Sequence, residues 1–458
     1  MDELAPIYAT AGLITAYFLA AVARGRFDPF EPVWLFLVGY THLYIIQPIS
    51  YHEWAVSARG SELVLEANTR ILWALGLFLL VYHSGIGGLV ARMLPRPPVG
   101  WSRALVGGVA PPLVIWGLIC AGIVLRAGDD ADSVSAEESL FRSFPFVMLV
   151  AAIMLIVTGR ASSNPSLFLP AGIAAGAGYV LIWMFNGKRS HSLVGVLATV
   201  CAWYITRSRR PSWPVLFATA ATGVLVVGVA IGWRNDRDHE RSVAGFVGFV
   251  GDFNPKTVLE SLNLGEDDAS DGRPVTHESE EYGGYLLMMD TVPGKSSYDG
   301  GASYLRVFST FIPRIVWPTK PVFGRAQWIQ AWIAGSELER KEDFTGPAIG
   351  LLGATQLNGG AEATVIVIVC LSIFVRTAYL YFRANAQSPW VQFWWSISYY
   401  NAWFMVVNDD PLVWFYYNWG FTTMPLLVLM WWGGKWAGVG SAGIAGEAGR
   451  ISRPIAAS

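Results

Sequence analysis

The chain has 458 residues, of which 53% are hydrophobic and 14% charged, with a formal net charge of −2. A soluble domain carries about 25% charged residues, so an ordinary water-soluble globule is excluded. The near-neutral balance also excludes a nucleic-acid partner gripped by charge. An all-α, polytopic transmembrane bundle remains.

A spanning helix needs roughly 17–25 mainly apolar residues. By that rule spans are expected near 7–23, 32–49, 70–90, 104–125, 143–159, 167–185, 191–206, 213–232, 358–380, 389–407 and 412–433, about eleven in all. The stretch 50–69 has room for a further half-helix. Met1–Pro6 is acidic and lacks the basic region of a signal peptide, so the first span is read as retained. With the N-terminus outside, fourteen basic residues fall in cytoplasmic short loops and termini and six in outer short loops. The positive-inside rule then gives an N-out, C-in chain. Residues 1–232 form an N-terminal bundle of about eight spans. Residues 233–357 form a large extracytoplasmic region, 358–433 about three further spans, and 434–458 a disordered tail.

Within the large region, the apolar spacing of Ser242–Leu262 suits an interfacial helix. Asn263–Glu281 is acidic and reads as a loop, and Gly346–Gly360 is apolar but interrupted by Gly and Pro. The segment Tyr298–Arg325 (YDGGASYLRVFSTFIPRIVWPTKPVFGR) stands out. Pro313, Pro318 and Pro321 stiffen a backbone on which Arg306, Arg314, Lys320 and Arg325 alternate with Phe311, Trp317 and Phe323. Cations held among aromatics on fixed turns suit a grip on an anion, and Arg can hold phosphate with two donors at once. An ordered surface loop with solvated charges is the plainer reading.

Lys188, Arg189 and His191 sit in NGKRSHS at the outer end of a span, against the positive-inside bias. They are candidates for an anionic ligand, with headgroup snorkelling as the alternative. Asp409, in the turn Asn408–Pro411, is either a general base, a holder of a catalytic Arg, or a turn residue. Tyr282 and Tyr285, flanked by Glu281 and Asp290, suit stacking on sugar rings or anchoring at an interface. The histidines show no metal-ligand spacing, and no phosphate-binding glycine motif precedes a helix, so neither metal nor cofactor is expected.

The pattern GxSYLRxxxxFIPRxxWPxKP, here Gly301–Pro321, resembles the oligosaccharide repeat-unit polymerases of the Wzy type. RFDPFEP (Arg26–Pro32) and NGKRSHSLVGVL resemble further elements of that family. Gly350–Val365 resembles the element leading out of the large loop, but Ala354, Gln356 and Gly359 depart from the family's Glu-x-Tyr-x-Asn-Phe-Gly. The resemblance implies a bundle similar to class C glycosyltransferases in a bacterial cytoplasmic membrane. It implies transfer of a growing glycan from undecaprenyl diphosphate to a new lipid-linked oligosaccharide, without metal and with inversion. It also implies membrane lipids, a chain-length regulator and a flippase as partners.

On that reading Arg189 and Arg314 lead as the catalytic cations. Lys188, Arg306 and Lys320 assist, and Tyr282, Tyr285 and Trp317 meet the glycan. Asp290, Asp299, Asp409 and His191 are candidates for the base. Arg59, in a separate outer loop, is expected to tolerate Lys. An O-antigen ligase and a lipid-linked oligosaccharide transporter remain open. The latter would show paired charges within spans and broken helices.

Overall fold

The structure, a computed structural model, describes residues 3–98, 101–126, 145–161, 167–207, 209–236, 239–240, 242–253, 281–302 and 349–407, with positions 304, 317, 428, 431 and 432. Among these residues every regular element is helical. Seven helices are long and apolar enough to cross a bilayer, so this is a helical membrane protein. The expected 412–433 span lies almost wholly outside the described residues, as does the tail.

The chain divides into two compact units. The first comprises residues 1–94, 265–381 and 401–417, and the second 95–264, 382–400 and 418–458. This division follows packing, whereas boundaries at 232 and 357 follow hydropathy along the chain.

In the first unit, α1 (Ala5–Ala23) starts with Pro6 in its first turn, where a missing N–H costs nothing. α2 covers Val33–Ser50 and includes a π-helical turn at His42–Ile46. A short α3 (His52–Arg59) occupies the stretch with room for a half-helix. α4 (Ser61–His83) begins nine residues before the expected span at 70, which moves Arg70 from a loop into a helix. α5 is Ile86–Met93. The buried stripe of α4, Val64, Ala67, Ile71, Ala74, Leu75 and Phe78, recurs every three or four residues and faces the core. Phe78 stacks on Phe36 of α2 with centroids 3.9 Å apart, and Tyr40 Oη donates to the Ile71 carbonyl at 2.6 Å.

At one end of this unit the RFDPFEP loop is fastened by its carboxylates. Asp28 accepts from the Phe30 amide (3.1 Å) and the Tyr379 hydroxyl (2.8 Å). Glu31 accepts from the Tyr82 hydroxyl (2.9 Å) and an Arg376 guanidinium nitrogen (2.7 Å). The N-terminus is at the other end, where Ser61 Oγ donates to Glu3 and Asn68 Nδ2 donates to the Glu3 carbonyl. The 19 residues of α1 separate the two ends by about 28 Å.

In the second unit, α6 is Arg103–Arg126, α7 Phe146–Ala161, α8 Phe168–Phe185, α9 Arg189–Ile205 and α10 Trp213–Asn235. Every residue from Phe146 to Thr158 is buried, so α7 is the central helix, enclosed on all sides. Between lipid-immersed helices close packing replaces the hydrophobic drive, and small residues permit it. A Cβ on Gly172 of α8 would stand 2.8 Å from both the Ala152 carbonyl oxygen and Ile156 Cγ1. α11 (Val243–Asp252), capped by Ser242 Oγ accepting from the Gly245 amide, covers the first half of the Ser242–Leu262 stretch, and the rest, beyond Phe253, lies outside the described residues. Phe246 is buried on Trp233 and Met184, while Val243, Val247 and Val250 are exposed.

The remaining helices are α12 (Glu281–Thr291), α13 (Gly350–Ala384), α14 (Pro389–Ser398) and α15 (Asn401–Val407). The expected 389–407 span is thus two short helices, α14 and α15, falling in different units. The expected 358–380 span starts earlier, at Gly350, and is broken at Gly359–Gly360.

The α7–α8 contact yields a prediction. Gly172→Val forces the two helices apart, and overpacking of this kind costs about 1–3 kcal/mol. Thermal unfolding in detergent should show a lower midpoint, whereas Gly108→Ala, with nothing within 4 Å of its added Cβ in the interior of α6, should melt no lower than the parent.

Candidate functional site

The expected site residues fall into three groups. Arg306, Arg314, Lys320 and Asp409 lie outside the described residues. Trp317 is described and half-buried. Asp299 is described, in the first unit, and the other six form two clusters, Lys188–His191 in the second unit and Tyr282–Asp290 in the first.

The cluster of the second unit is a corner without a linker. At the end of α8 the Lys188 amide donates to the Trp183 carbonyl (2.9 Å) and the Gly187 amide to the Met184 carbonyl (3.0 Å). This is the Schellman pair of bonds, and it needs a left-handed residue, supplied by Gly187 at φ +65°. α9 begins two residues later, so Lys188 and Arg189 stand exposed at its start. His191 stacks on Trp183 with centroids 4.4 Å apart and shares a 3.2 Å hydrogen bond with Ser190 Oγ. The Gly187 backbone rests on α10, and a Cβ there would be 3.0 Å from Arg234 Cβ. Trp233 fixes this approach by donating from Nε1 to the Phe185 carbonyl at 2.7 Å. Arg234, exposed, is therefore a third cation beside Lys188 and Arg189, and reading along the chain did not find it. The nearby Asp236 carboxylate is engaged by the His239 amide (3.0 Å) and imidazole (3.1 Å).

The cluster of the first unit lies at the end that holds the N-terminus. Gln47 of α2 caps α12. Its Oε1 accepts from the Tyr282 amide (2.9 Å), and its Nε2 donates to Glu281 (2.8 Å). Tyr282 and Tyr285 are core residues, 1% and 0% exposed, so the expected sugar-stacking platform is absent here. Their hydroxyls donate inward, to Asn68 Oδ1 (2.9 Å) and the Ala67 carbonyl (3.4 Å). Burial pushes both phenols well above the usual tyrosine range. Asp290, at the far end of α12, accepts on one oxygen from Lys295 Nζ (2.8 Å) and Arg59 Nη1 (3.4 Å). That geometry suits a carboxylate that holds two cations in place. Arg59, expected to be remote, is part of this cluster.

Beneath it, the buried Arg70 guanidinium meets Gln356 Oε1 and, at 3.0 Å, Glu66. Gln356 Nε2 donates to the Val292 carbonyl just beyond α12. The neutral amide of Gln356 thus ties α4, α12 and α13 together. Three residues beyond Gln356, α13 breaks. Gly360 has φ +64°, and the Leu357 carbonyl left without its helical donor accepts from the Asp299 amide at 2.8 Å. A Cβ on Gly360 would stand 2.8 Å from Tyr298 Oη. The opening residues of the Tyr298–Arg325 segment are thereby seated on the helix break.

Compared with protein-family models, curated proteins and solved structures, the chain matches none.

Gln356→Leu keeps the volume but strips partners from a buried guanidinium and a carbonyl. Unsatisfied groups of this kind cost about 1–3 kcal/mol. The detergent-solubilised protein should melt earlier, and Thr69→Ala, at an exposed site on α4, should leave the midpoint unchanged.

Proposed function

We propose that the protein is a membrane glycosyltransferase that polymerises undecaprenyl-diphosphate-linked oligosaccharides on the outer face of a bacterial cytoplasmic membrane. On this reading it has about eleven spans, N-out and C-in, and resembles class C glycosyltransferases. The observation that carries the reading is the seating of Tyr298–Gly301, the start of the polymerase-like motif, on the break of α13. Arg59, Arg70 and Lys295 surround that region of the first unit. The corner of the second unit offers Lys188, Arg189 and Arg234.

The chemistry asks for such groups. As the glycosidic bond breaks, its electron pair passes to the diphosphate oxygen, and the acceptor hydroxyl attacks the anomeric carbon from the opposite face and loses its proton. Preorganised cations aimed at the growing phosphate charge stabilise the transition state more than the ground state. Arg189 and Arg314 take that role, with Lys188, Arg306 and Lys320 assisting. Asp290 acts as a positioning residue for Arg59 and Lys295, which leaves Asp299, Asp409 and His191 as candidates for the base.

Losing a transition-state donor typically costs about 10²–10³ in rate. Lys cannot reproduce the planar two-donor fork of Arg. Arg189→Lys and Arg314→Lys should therefore collapse the ladder of lipid-linked glycans to one repeat unit at normal protein level, while Arg92→Lys leaves it intact. A full ladder from both variants would sink the site. A full ladder that fails to reach the final acceptor in a deletion strain would point to a ligase.

A transporter of lipid-linked oligosaccharides is a second reading, favoured by the break in α13 and the Glu66–Arg70 pair within α4. The two differ in where single repeat units accumulate in a deletion strain. Units reached by an impermeant lectin in intact spheroplasts support the polymerase, and shielded units support the transporter.

A further inference from the structure

Between Glu138 and Asp236 the sequence holds eight Lys and Arg residues and no carboxylate. Cations in this stretch cannot find acidic partners close by along the chain. Lys188, Arg189 and Arg234 gather at one end of the α8–α9 pair. At the other end of α9 a second group forms around Trp203. The guanidinium carbon of Arg160, in the last turn of α7, lies 4.1 Å from the Trp203 ring centroid, and that of Arg207, just beyond α9, also lies at 4.1 Å. The two charges are thus within about 8 Å of one another, twice that spacing and less than a Debye length at physiological salt.

The indole face attracts each cation, but nothing among the described residues neutralises them. Neither guanidinium forms an ion pair there, and the buried Nε of Arg160 has no hydrogen-bond partner. Cations at helix C-termini do complement the helix dipole, yet that effect explains neither the convergence on one ring nor the unused donors. Two planar forks, each with several free N–H groups, match the oxygens of a phosphate.

The surroundings are those of a membrane boundary. α9 is apolar up to Ile205, and Arg209 and Arg210 follow. Trp213 and Phe217, exposed at the start of α10, are residues suited to headgroup depth. We propose that Arg160, Trp203 and Arg207 form a binding site for the headgroup phosphate of an anionic phospholipid, distinct from the groups assigned to glycan transfer. The indole holds the two guanidiniums in register, and the lipid phosphate removes their mutual repulsion. Anionic lipids enrich the cytoplasmic leaflet, the side on which the loop charges place Arg160 and Arg207.

The test titrates the full-length protein with phosphatidylglycerol and with phosphatidylcholine, counting bound lipids by native mass spectrometry. The parent should hold one phosphatidylglycerol about tenfold or more tighter than Arg160→Gln/Arg207→Gln. Phosphatidylcholine binding should be the same in both, and Arg92→Gln should behave as the parent. If the double variant loses its cooperative melt, Arg207→Gln alone, at an exposed position, carries the comparison. Equal phosphatidylglycerol affinity in parent and variant, or equal affinity of the parent for the two lipids, would overturn the site. Displacement of the lipid by millimolar inorganic phosphate would overturn the lipid assignment in favour of a soluble phosphate.

Discussion

The first unit depends on one buried guanidinium. Arg70 sits on a helix inside an apolar bundle, where an uncompensated charge is costly. Its ion pair with Glu66 and its bond to Gln356 offset that cost where α4 packs. Gln356 answers by binding the chain beyond α12, so a single side-chain relay sets the mutual positions of three helices. From there the constraint passes to the backbone. The break of α13 leaves a carbonyl to be satisfied, and the Asp299 amide meets it. The entry to the Tyr298–Arg325 segment is therefore located by hydrogen-bond necessity.

Much of the bundle was legible in the sequence because apolar runs are what lipid demands. α1, α2, α6, α8 and α10 fall within a few residues of their expected places. The start of α4 was not legible. Glu62, Glu66, Asn68 and Arg70 interrupt the apolar run, and the groups that tolerate them, Gln356 and Tyr282, arrive from nearly three hundred and over two hundred residues away. The division of 389–407 into α14 and α15 was equally hidden, since both pieces are apolar and aromatic throughout.

The candidate sites show the same limit. Lys188 and Arg189 were visible because, in the expected N-out orientation, they run against the positive-inside bias. Arg234 was not, because its proximity to them is made by a glycine on one helix meeting the end of another. Tyr282 and Tyr285 look alike in sequence whether they face sugar or core, and only the partners Asn68 and Ala67 decide. The corner at Gly187 also lowers the entropic cost of binding. With no linker between α8 and α9, few backbone torsions remain for Lys188 and Arg189 to lose on meeting a ligand.

The enclosure of α7 has a consequence for how the second unit meets its solvent. The 16 residues of α7 rise about 24 Å, against a hydrocarbon layer of about 30 Å. A lipid-facing helix of that length would have to be matched by the surrounding leaflets. Because every residue from Phe146 to Thr158 is covered by protein, that demand does not arise here. The longer helices α6 and α10, whose apolar side chains are exposed, are the ones that lipid can touch, so a change of bilayer thickness reaches α7 only through its neighbours.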